Sequence, residues 1–136
     1  MSYDLMVFDP ASAPRTHAEF IAWYDQQTEW EEDHGYNDPA VTTPALRAWF
    51  MDMIGIFPAL NGPFSSEELP EDEALVTDYC IGNSVIYVTF AWSKAEQAYD
   101  SAFDLAEKHG LGFFNASSDD AEIWLPVNGK LVLSRA

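Results

Sequence analysis

LVTDYCIGNSVIYVTFAW, residues 75–92, decides the fold. From Ser84 to Trp92 the residues alternate. Val85, Tyr87, Thr89 and Ala91 lie on one side, and Ile86, Val88, Phe90 and Trp92 on the other. A period of two is the mark of a strand. Leu75 to Ile81 reads as a second strand. Gly82-Asn83 reads as a two-residue hairpin turn, where residues tolerant of positive φ are favoured. The middle of the chain is therefore an antiparallel hairpin.

Downstream, Ser93 and Glu96 have capping-box spacing. Ala95, Ala98, Tyr99, Ala102, Phe103 and Ala106 form an apolar stripe at helical spacing. Lys108 and His109 suit the negative end of that helix, and Gly110 suits its C-cap. Leu111 to Asn115 is a short strand. Ala121 to Leu125 and Lys130 to Ser134 form a closing hairpin, with Asn128-Gly129 as the turn signal.

Upstream, Tyr3 to Phe8 is a strand with a nearly continuous apolar run. Thr16 and Glu19 mark the start of a helix whose stripe is Phe20, Ile21, Tyr24 and Thr28, flanked by Trp23 and Trp30. Thr43-Pro44 is a second start, with Thr as N-cap and Pro at the first helical position. Leu46, Trp49, Phe50, Met53, Ile54 and Phe57 follow at helical spacing, and Pro58 stops them. Residues Ala59 to Ala74 form a long connection, with a short helical turn expected at Ser65 to Leu69.

The order is β-α-α-β-β-α-β-β-β. Counting the first two helices as one crossover makes it a split βαβ, or ferredoxin-like, order. The expectation is a single α+β domain over residues 1–136. Its sheet is mainly antiparallel, its helices lie on one face, and a C-terminal hairpin is added.

Charge carries the functional reading. Glu19 to Asp78 holds fourteen acids and one base, Arg47, out of a net −17 for the chain. Hydrophobic residues at 48% are too many for a disordered acidic tail. So acidic a chain lacks the clustered Lys and Arg that nucleic acid or anionic membranes require. Its field attracts a basic protein instead. The alternative is a merely solvated acidic surface. The lone Cys80 sits in an apolar run and forms no internal disulfide, and no signal or membrane-spanning segment is evident. We read a cytoplasmic protein.

No catalytic or cofactor motif rises above background, and no catalytic or metal-ligating residue is singled out: there is no G-x-S-x-G, Walker A, Rossmann or C-x-x-C pattern. His34, beside Glu31, Glu32 and Asp33 with Asp38 nearby, matches neither H-E-x-x-H nor an EF-hand loop, which leaves at most weak binding of a hard ion by loop acids. The candidate partner-binding residues are Trp23, Asp25, Glu29, Trp30, Glu31, Glu32, Asp33 and Tyr36. The acids would steer a basic protein and the aromatics would anchor it. The alternative is an enzyme or small-ligand binder with a pocket between sheet and helices, lined by Tyr79, Tyr87, Trp92 or Trp124. A monomer is expected, or a weak homodimer through an edge strand, Leu111 to Asn115 or Lys130 to Ser134.

Ser2-Tyr3-Asp4-Leu5-Met6-Val7-Phe8 and the segment Asp38-Pro39-Ala40-Val41-Thr42-Thr43-Pro44-Ala45-Leu46-Arg47-Ala48-Trp49-Phe50 resemble a group of small acidic bacterial proteins of unassigned function. In size, charge and class the chain is also similar to immunity proteins that neutralise toxins of competing bacteria. That similarity implies a cytosolic inhibitor presenting acids to a basic nuclease cleft. It carries over no functional residue.

Overall fold

The computed structural model describes residues 2–14, 16–29, 36, 38–60, 62–65, 73–117 and 122–134. The elements are β1 (Ser2–Phe8), α1 (His17–Gln27), α2 (Pro44–Met53), β2 (Asp78–Ile81), β3 (Val85–Ala91), α3 (Ala95–Lys108), β4 (Gly112–Phe114), β5 (Ile123–Val127) and β6 (Lys130–Ser134). The fold is α+β. Six strands make one sheet in the order β2-β3-β1-β4-β5-β6, and neighbours in it are antiparallel.

β1 organises both cores. Tyr3, Leu5 and Val7 face one side, and Met6 and Phe8 the other. On the first face α2 packs Leu46, Trp49, Phe50 and Met53 beside Ala98, Ala102 and Ala106 of α3. The small alanines let α3 approach closely. The Trp49 indole N–H donates to the Ala102 carbonyl at 3.1 Å and ties the two helices together. On the second face Phe20 of α1 packs on Phe8 and Phe114.

The expectation of helices on one face is therefore corrected, since α1 covers the opposite side. The cause is β1 itself. A strand apolar on both faces must be covered on both. The broad apolar stripe of α2 and the alanines of α3 already fill the first face.

Smaller corrections follow the backbone. The β2–β3 turn is shifted by one residue: Ile81 pairs with Ile86, and the Gly82 N–H donates to the Val85 carbonyl at 2.8 Å, so Asn83-Ser84 form the loop. Neither residue needs positive φ. The Ser93 capping box does not form. Trp92–Lys94 make a 3-10 turn instead, and α3 begins at Ala95 without a side-chain cap. α2 ends at Met53, and the Phe57 N–H returns to the Met53 carbonyl at 2.7 Å, burying the Phe57 ring. Leu75 lies in a 3-10 turn, so β2 is shorter than expected. Most of the expected turn at Ser65 to Leu69 lies outside the described residues.

Other signals hold. Thr16 and Thr43 cap α1 and α2 through their hydroxyls. Asn128 and Gly129 have φ of 52° and 80°, a turn whose twist suits a hairpin. Gly112 is required where it stands, because a Cβ there would lie 2.2 Å from the Phe8 ring.

Candidate functional site

The second face of the sheet carries apolar residues toward β4 and polar ones toward β2. Register places Asp78 and Asp4 on either side of Thr89, and Cys80 beside Tyr87. These five residues are half-buried. The sequence reading missed Asp4, Asp78 and Thr89 as a group. Their only signal was the period of two, which puts polar positions of three strands on one face.

Tyr87 donates its hydroxyl proton to the Asp4 carboxylate. Tyr24 of α1 hydrogen-bonds Tyr87, and their ring centroids are 6.3 Å apart. Burial, then the Asp4 and Tyr24 hydrogen bonds, push the Tyr87 hydroxyl pKa well above its ordinary value. Burial also raises Tyr24. Both phenols keep their protons at neutral pH, so neither acts as a base there. Burial, with help from Asp78, pushes the Cys80 thiol to about 11, which leaves it protonated and a poor nucleophile. The cluster pins α1 to the sheet.

What this side offers is negative charge. Asp25 on α1 and Glu29, two residues past its C-terminal end, are exposed. Trp23 packs edge-on against Phe8 at 5.9 Å and beside Phe20 at 5.5 Å. Half-buried in the second core, it leaves only part of its ring for a partner. Trp30, Glu31, Glu32 and Asp33 lie outside the described residues, as does His34. Tyr36 is half-buried, and its carbonyl accepts the Ile81 N–H at 2.8 Å on the outer edge of β2.

Arg47, the one base in the acidic stretch, leaves that charge standing. Its guanidinium donates to the carbonyls of Pro39 and Ala40 at 3.3 and 3.4 Å. Lys108 and Lys130 pair with Asp52 and Glu107 on the side of α3. Asp38 accepts the Ala40 N–H at 2.9 Å and caps a 3-10 turn.

The four aromatics expected around a ligand pocket do not converge. Tyr79 faces the first core, where its hydroxyl donates to the Phe57 carbonyl, whereas Tyr87 faces the second. Trp92 lies on Tyr3 and Trp124 on Phe103. The described hollows have other linings. One of about 460 Å³ runs along the start of α3 by Lys94, Gln97 and Asp100. Another of about 530 Å³ lies between Pro10, Pro14, Leu125 and Pro126. Among the described residues no group of three or more His, Cys, Asp or Glu is placed to hold a metal ion. No helix among them is long and apolar enough to cross a membrane.

Comparison with protein-family models, with curated proteins and with solved structures finds no match for this chain.

Proposed function

We propose that this chain is a protein-binding module for a basic partner, and that it works as an immunity-type inhibitor of a basic protein such as a nuclease toxin. One observation carries the reading: the acids of the stretch fall in two clusters, Asp25 to Asp38 and Glu67 to Asp78, and each has a described residue tied to β2. Tyr36, within the first cluster, bonds the Ile81 N–H at the strand edge. The second cluster ends at Asp78, the first residue of β2. With Asp25 on α1 and Glu29 just past its end, this favours one negative surface rather than two. Arg47 donates to backbone carbonyls and forms no ion pair with an acid among the described residues. Such a field speeds encounter with a positive partner and sets its orientation.

The strand order β2-β3-β1-β4 supports a finer reading of the fold. These four strands read as a split βαβ unit with α2 and α3 as its crossovers, and α1 and the β5–β6 hairpin as additions.

The test is capture from native lysate at low and high salt. Recovery of a basic protein at low salt, released at high salt, supports the reading. Recovery of no basic protein under either condition overturns it.

A further inference from the structure

Two polar atoms on the first face are sealed from solvent and have no hydrogen-bond partner: Asn115 Oδ1 and Trp124 Nε1. Such orphans are few in native proteins, because a buried polar group without a partner is costly. One is an acceptor and the other a donor.

They lie close in the sheet. The Asn115 N–H donates to the Glu122 carbonyl at 2.9 Å, and Phe113 is the register partner of Trp124. Asn115 and Trp124 therefore leave the same face one diagonal step apart, a separation that long side chains bridge. Both side chains sit on the α3 side, where Phe103 meets Trp124 at a centroid distance of 5.1 Å and Tyr99 meets Phe113 at 5.2 Å.

Rotating the Asn115 amide does not remove the orphan. Its Nδ2 donates to Glu122 Oε1 at 3.4 Å, and the Asn115 side chain also hydrogen-bonds Tyr3. A rotated amide would set oxygen against the Glu122 carboxylate. Glu122 thus fixes which atom is left over.

We infer that β4 and β5 hold, beneath α3, a site for one neutral O–H group, which accepts the Trp124 indole proton and donates its own to the Asn115 carbonyl. A single oxygen joins two partners about 5–6 Å apart, at about 2.8–3.0 Å from each. An ammonium group cannot accept from the indole. A carboxylate cannot donate to Oδ1, and Glu122 repels it. The O–H comes from a buried water or from the hydroxyl of a small alcohol.

The test is NMR on isotope-labelled protein. In plain buffer the Trp124 indole proton shows a cross-peak to a long-lived water. If a ligand hydroxyl takes the site, titration with methanol or ethylene glycol shifts the Trp124 indole and Asn115 side-chain amide signals saturably and replaces the water cross-peak with one to the alcohol. If water is the resident, neither alcohol displaces it. Either result supports the site and identifies the source. Trp124→Phe, which keeps the ring contact with Phe103, abolishes the cross-peak and moves the Asn115 amide signals. Absence of any cross-peak from the Trp124 indole proton to water or alcohol overturns it.

Discussion

His109 Nε2 lies 2.8 Å from Asp52 Oδ2, joining the last turn of α3 to the end of α2. Lys108 Nζ reaches the same oxygen at 3.2 Å. The His109 hydrogen bond, then that of Lys108, holds the Asp52 carboxyl below its ordinary pKa. A carboxyl depressed in the folded state adds stability above its unfolded pKa of about 3.9 and loses it as pH falls through the folded value. Asp52→Asn should therefore be slightly less stable than the parent at pH 7. The gap should close in strong acid, as read from urea midpoints across pH. An equal gap at pH 7 and pH 2 would contradict this.

Gly112 passes directly over the Phe8 ring. Gly112→Ala forces a methyl into it and should cost about 1–3 kcal/mol, as overpacked cores do. Denaturant unfolding measures this, and the paired change Phe8→Leu should recover part of the loss.

Glu107 of α3 accepts the Leu131 N–H at 2.9 Å, a backbone group on the outer edge of β6. Glu107→Ala strips that acceptor and should cost about 1–2 kcal/mol. It also bares an edge donor, so self-association should rise with concentration in sedimentation runs. Glu107→Gln, which still accepts, should remain closer to the parent in both respects.

Cys80 should react slowly with iodoacetamide in the folded state at pH 7, because a thiol at about 11 is ionised to only about one part in ten thousand. Unfolding in urea should speed the reaction more than tenfold. Equal rates folded and unfolded would contradict the assigned burial.

Local chemistry explains what was legible. The caps Thr16 and Thr43, the Asn128-Gly129 turn and the alternation of Val85 to Ala91 each act within a few residues, so they read directly from sequence. The position of α1 was only half legible. Leu5, Met6, Val7 and Phe8 announced a strand buried on both faces, but which helix takes which face depends on competition between stripes far apart in the chain. The Asn83-Ser84 turn escaped because register is set across strands: the Ile81 and Ile86 pairing outranked the conformational freedom of Gly82. At the candidate site the charge was legible and its placement was not. Asp4, Tyr24 and Tyr87 meet only because β1, α1 and β3 converge, and Trp23, which flanks the helical stripe and reads equally as partner anchor or as packing, shares its ring with the second core.

The central claim is that the acidic face around α1 and β2 meets a basic partner. Two charge-reversed proteins with the same net change test it: Asp25→Lys on α1 with Glu29→Lys just past its end, and Glu96→Lys with Asp104→Lys on α3. Capture of the basic partner at low salt should be lost with the α1 pair and kept with the α3 pair. Equal capture by both, or equal loss from both, would contradict a surface located on α1 and β2.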